Sequence, residues 1–99
     1  MGTISKQAVV VANRDHLSCD VADEAVVLHL ASGAYFGLNE VAAAVWRMLQ
    51  TPRTVEEIEA LVLSQYKVER TQCEQDVSRL LHDLAQAGLV RITGATQSR

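Results

Sequence analysis

The sequence predicts an α+β fold: a three-stranded antiparallel sheet followed by three helices. Two observations predict it. Residues 17–38 alternate or run in β-prone stretches, and from Asn39 onward the apolar period changes from 2 to 3.6. The change falls within Gly33-Ala34-Tyr35-Phe36-Gly37-Leu38-Asn39. There Ser32-Gly33 supplies a turn, two adjacent aromatics favour a strand, and Asn39 offers a helix N-cap.

Residues 1–7 are polar and expected to be loose. Ala8–Ala12 is a short β-prone run broken by Asn13-Arg14-Asp15, which suggests a strand extension. Leu17, Cys19 and Val21 alternate with Ser18 and Asp20, the pattern of a half-buried strand. Ala22-Asp23-Glu24 turns the chain into Ala25–Leu30, where Val26, Leu28 and Leu30 share a face and His29 lies opposite, toward solvent on this reading. Ala31-Ser32-Gly33 leads into Ala34–Leu38, which completes the meander.

Ala42, Val45, Trp46 and Leu49 fall at i, i+3, i+4, i+7, so residues 40–50 form the first helix, stopped by Thr51-Pro52-Arg53. Thr54-Val55-Glu56-Glu57 is a capping box that opens the second, with a stripe of Val55, Ile58, Leu61 and Val62 reaching about Ser64. Residues 65–70 link it to the third. A second T-x-x-E, Thr71 to Glu74, reads as another capping box, and Cys73, Val77, Leu80, Leu81 and Leu84 form one side of that helix. Gly88 is the natural residue to end it. Leu89–Ile92 then packs back as a short extended segment, and residues 93–99 are polar and expected to fray. The second and third helices beside a sheet make the architecture winged helix-turn-helix-like. The 99 residues are expected to form a single domain with its ordered core at about 8–92.

Composition narrows the function. Aromatics are 4% of the chain against 48% hydrophobic residues, so the core is aliphatic. A net charge of −3 lacks the basic excess that phosphate-backbone binding demands. No apolar run approaches the roughly 20 residues needed to cross a bilayer, and the first residues lack a signal peptide's apolar region. The expectation is a cytoplasmic protein that uses neither membrane nor nucleic acid. His16, His29 and His82 are not at metal-ligand spacing, and no cofactor is expected. Cys19 and Cys73 fall at apolar-periodic positions and read as reduced, small core hydrophobes. No residues form a catalytic constellation, so the chain is not expected to be an enzyme. The winged-helix alternative, a DNA-binding regulator, would use the third helix, whose exposed positions carry Glu74, Asp76 and Asp83 against Arg79 and would repel phosphates. Peptide binding remains: the strand Ala34–Leu38 ends the meander and carries no Lys, Pro or inward charge to protect its edge. The residues alone leave open whether the chain's own third helix or its segment Leu89–Ile92 covers that edge.

The pattern Val27-Leu28-x-Leu30-x-Ser32-Gly33-x-Tyr35-Phe36-x-Leu38-Asn39, then Val45-Trp46-x-x-Leu49, resembles the PqqD-like proteins, or RiPP recognition elements. Thr54-Val55-Glu56-Glu57-Ile58, Asp76-Val77-x-x-Leu80-Leu81-x-x-Leu84 and Gly88-Leu89-Val90 continue it, so the resemblance spans about residues 17–92. His29 departs from it, standing where many relatives have an acidic residue. The chain is most similar to the stand-alone recognition proteins of lasso-peptide biosynthesis. That resemblance implies binding of a precursor's leader peptide and its delivery to a separate leader protease and cyclase. The relatives that serve a radical-SAM enzyme are the alternative. It also implies a mode. The leader adds as a strand antiparallel to Ala34, Tyr35, Phe36, Gly37 and Leu38. Its apolar side chains enter between that strand and Val77, Leu80 and Leu84, with Asp76, Arg79 and Asp83 at the rim. Tyr35 is the preferred contact; which of Tyr35 and Phe36 faces the groove depends on register. An exposed edge can also pair with its own copy, which allows a homodimer through the sheet edge.

Overall fold

The computed structural model describes residues 4–94. The ends expected to fray at residues 1–3 and 95–99 lie outside the described residues. Nine elements follow one another: strands β1 (Val9–Ala12), β2 (His16–Val21), β3 (Glu24–His29) and β4 (Ala34–Leu38), helix α1 (Glu40–Met48), strand β5 (Arg53–Thr54), helices α2 (Val55–Gln65) and α3 (Arg70–Gln86), and strand β6 (Val90–Thr93). They form two antiparallel sheets, ordered β2-β3-β4 and β5-β1-β6, with three helices.

The first sheet is the expected meander. Leu28 pairs with both Leu17 and Tyr35, and Val27 with both Ser18 and Phe36. Its covered face is the reverse of the expected one. Ala25, Val27 and Leu38 are buried against the helices, while Leu17, Val21, Val26, Leu30 and Tyr35 are exposed. Cys19 is exposed as well, not a core residue. Alternation defines two faces, and the helices packed on the Ala25/Val27 side decide which one is dry. His29 belongs to that inner side. It is half-buried, its Nδ1 lies 2.8 Å from Ser32 Oγ, and its ring lies against Gly88.

The second sheet ties the two ends together. Val9 pairs with Thr93 on one side and with Thr54 on the other. Val10 is fully buried between them. Residues 4–7, read as loose, are held in place: Lys6 O accepts from the Glu56 amide at 3.1 Å, and Ile4 packs on the core. Thr93, read as frayed, is the last residue of β6.

Helix starts follow local chemistry in two cases of three. Asn39 Oδ1 accepts from the Ala42 amide at 2.9 Å, and Thr54 with Glu57 forms the complete capping box. The second expected box does not form. α3 begins at Arg70 with Glu69 as N-cap and no side-chain cap bond. Thr71 is already inside the helix, and Glu74 instead accepts from Lys6 Nζ. At its other end α3 closes as expected. Gly88 adopts φ +81°, and the amides of Gly88 and Leu89 bond to the carbonyls of Ala85 and Leu84, a Schellman motif. Asn13 Nδ2 donates to the freed Gly88 carbonyl at 2.8 Å, coupling β1 to this helix end.

The core is aliphatic around one large aromatic, Trp46, which is 2% exposed and meets the His16 ring edge-on at 4.8 Å. Leu49, Ile58, Leu81 and Leu89 are its largest fully buried side chains. No described helix is long and apolar enough to cross a membrane.

Candidate functional site

β4 is the last strand of its sheet. β3 occupies one side, and no strand of the described residues pairs with the other. The C-terminal segment, one of the two candidates to cover that edge, pairs with β1 instead. Alternate residues of β4 therefore present unpaired backbone N–H and C=O groups outward.

A pocket of about 330 Å³ opens where β4 ends. Asn39, the residue after β4, stands in its wall. Val41, Ala42 and Val45 of α1 form one side, and Val77 and Leu80 of α3 the other; Val62 and Val68 complete the apolar lining. The walls diverge for a local reason. Asn39 starts α1 immediately, so the chain turns away from β4 without a loop. α3 packs against α2 and β6, and the pocket lies between α3 and α1.

The rim is charged. Asp76, Arg79 and Asp83 line the pocket from one face of α3, spaced i, i+3 and i+7. All three are exposed. Asp76 accepts from Gln72 Nε2 at 2.8 Å, and Arg79 takes part in none of the ion pairs among the described residues. Cys73 lies in the pocket wall, 2% exposed. Burial raises its thiol above the ordinary value, and the charges of Glu59, Asp76 and Glu74 add to the rise. Its Sγ donates to the Glu59 carbonyl at 3.8 Å, and the side chain packs in the core.

The structure brings together Asp76, Val77, Arg79, Leu80 and Asp83 at the pocket; Leu38 is buried in β4 and is not among the residues that line it. It separates others. Leu84 is 3% exposed and packs in the core without reaching the pocket. Tyr35 is 72% exposed and points to the outer face of the sheet, beside Leu28. Phe36 is the aromatic on the inner side, half-buried against the core. Ala34 and Gly37 are exposed along the strand. Sequence reasoning missed the α1 wall. Ala42 and Val45 belonged to a stripe read as core, Val41 lay off that stripe, and Val68 was one apolar residue in a polar link. Val41, which widens the apolar face of α1 beyond the Ala42, Val45, Trp46 and Leu49 stripe, was the available signal.

Among the described residues no group of three or more His, Cys, Asp or Glu side chains is placed to hold a metal ion.

Comparison with known proteins places this geometry in a family. The family model of coenzyme PQQ synthesis protein D (PqqD) matches residues 24–90, from β3 to the first residue of β6. No curated protein matches by sequence. Two solved structures do match. TbiB1 in complex with the TbiA(beta) leader peptide is 32% identical, with 88% of this chain and 99% of that one covered at a TM-score of 0.75. Lasso peptide synthetase B1 complexed with the leader peptide is 26% identical, with 83% and 96% covered at a TM-score of 0.72. With more than half its length matched by the family model, and a solved relative covered almost end to end, the chain belongs to the PqqD family.

Proposed function

We propose that this protein binds the leader peptide of a ribosomally made precursor as an added strand on β4 and delivers it to the enzymes that process it. The open edge of β4 ending at an apolar pocket carries this reading. Backbone bonds along the edge supply affinity with little demand on sequence, and the pocket supplies selectivity. A guest strand antiparallel to Ala34–Leu38 runs opposite to β4. Its first paired residue lies beside Leu38 and its last beside Ala34. The pocket therefore takes an apolar side chain from the N-terminal part of the bound stretch, and the remainder of the precursor leaves past Ala34. Asp76, Arg79 and Asp83 engage polar groups that flank that side chain.

The role is binding without catalysis, with the chemistry left to a leader protease and cyclase. The two solved relatives, both leader complexes and one a lasso peptide synthetase component, favour lasso-peptide biosynthesis. The family's description, coenzyme PQQ synthesis, favours a second reading, service to a radical-SAM enzyme. The acidic exposed face of α3 speaks against DNA binding.

Titration calorimetry with synthetic leaders of precursors encoded beside the gene tests the proposal. Saturable one-to-one binding that survives replacement of the core peptide supports it. Absence of binding to every such leader at millimolar concentration overturns it.

A further inference from the structure

Going beyond peptide binding, we propose that a second copy of this chain covers the outer face of the β2-β3-β4 sheet, making a weak symmetric dimer. This face is apolar on all three strands. The row Leu17, Leu28 and Tyr35 runs across it, with Cys19 and Val26 in the next row and Val21 beyond. Leu17, Val21 and Tyr35 are each more than half exposed. Gly37 completes the second row, and nothing lies within 4 Å of where its Cβ would stand, so a dent opens beside Val26. Together these side chains expose on the order of 500 Å², at the upper end of what a monomer leaves uncovered.

Two features select a copy of the same chain as the occupant. First, the interior of the face carries no charge; Glu24, opposite Val21, stands at its margin. Around a two-fold axis each residue near the centre meets its own counterpart, so an uncharged face is self-compatible where a charged one repels itself. Second, the area fits. Two such faces stacked sheet on sheet bury about 1,000 Å² in total, the lower bound for a specific interface. The edges are less suited. β4's edge is the peptide site proposed above, and β2's edge carries Asp20, directed inward and 3.2 Å from Arg47, a charge of the kind that discourages edge pairing.

Sedimentation equilibrium of the full chain without peptide tests this, over concentrations from about 5 μM to about 1 mM. The weight-average mass should rise from one chain toward two, and Leu17→Lys and Val26→Lys should each weaken association at least tenfold while keeping the far-ultraviolet spectrum. A single-chain mass at every concentration overturns the proposal and leaves the face to an unlike partner. Association that both variants leave unchanged overturns it too. Should the variants misfold, the wild-type thiols still decide. Cys19 lies on the face and Cys73 is buried, so maleimide labelling of Cys19 must slow as the dimer fills, and a constant rate overturns the proposal. Peptide affinity is measured separately, so failure here leaves the leader-binding reading standing.

Discussion

The imidazole of His29 closes over Gly88: a Cβ placed on Gly88 would lie 3.1 Å from His29 Nε2. The contact joins the inner face of β3 to the end of α3, and Gly88 is in the left-handed region at φ +81°. Gly88→Ala should therefore cost stability twice, by about 1–2 kcal/mol for the backbone alone and further for the contact. Urea unfolding measures it. His29→Ala in the same background should recover only the contact's share, because the backbone cost remains.

The two T-x-x-E motifs should separate by mutation. Thr54 accepts from the Glu57 amide at 3.1 Å, and Glu57 Oε1 accepts from the Thr54 amide at 2.9 Å. Thr54→Ala should destabilise by about 1 kcal/mol. Thr71 makes no cap bond, because α3 begins before it. Thr71→Ala should fall within about 0.5 kcal/mol of wild type, as at an ordinary exposed site. Equal losses at the two positions would contradict the assigned start of α3.

Lys6 pins the chain's beginning to two helices. Its Nζ is 2.7 Å from Glu59 and 2.6 Å from Glu74. The hydrogen bonds to Glu59 and Glu74 raise the Lys6 ammonium above its ordinary value of 10.5, and the bond from Lys6 holds Glu74 below its ordinary 4.5. Glu74's contribution is fully present above 4.5 and is lost as pH falls through its depressed folded value. Lys6's contribution is fully present below 10.5 and is lost as pH rises through its raised folded value. Lys6→Met should thus lower the urea midpoint most between these limits, where it also strands Glu59, whose side chain is only 8% exposed. The gap from wild type should narrow toward about pH 3. A gap that widens in acid would contradict the ion-pair assignment.

Leu80 is the half-buried apolar residue on the α3 wall of the pocket. Leu80→Glu puts a carboxylate into the apolar pocket proposed to take an apolar guest side chain. Leader affinity should drop by at least tenfold, with the urea midpoint moving little because Leu80 lies outside the fully buried core. Leu84→Ala should do the reverse. It should destabilise the fold by about 2–5 kcal/mol through a core cavity and affect binding only through folding.

Local features were legible before the structure. The strand-to-helix junction at Ala34–Asn39, the Thr54 capping box and the Gly88 stop each need only a few neighbouring residues, and each is found. Non-local features were not. The pairing of Val9 with Thr93 and Thr54 joins distant segments and leaves no mark in any short window. Glu74 has the spacing of a capping residue, yet a lysine 68 positions away holds its carboxylate. The alternation of Leu17, Cys19 and Val21 reports a strand with two unlike faces and is silent on which face the helices cover. The same silence put His29 in solvent. At the candidate site, helical spacing put Val77, Leu80 and Leu84 on one side of α3, and only the family resemblance made them groove residues. Val77 and Leu80 line the pocket and Leu84 does not, whereas the α1 wall emerged only once the two helices were placed side by side.

In the proposed complex a leader peptide continues the sheet at β4. Amide hydrogen exchange of the protein, measured residue by residue with and without saturating leader, tests it most directly. The expected result is slowed exchange at alternate amides of Ala34–Leu38, with smaller changes around Val77 and Leu80. Tight binding that leaves every β4 amide exchanging as before would contradict it.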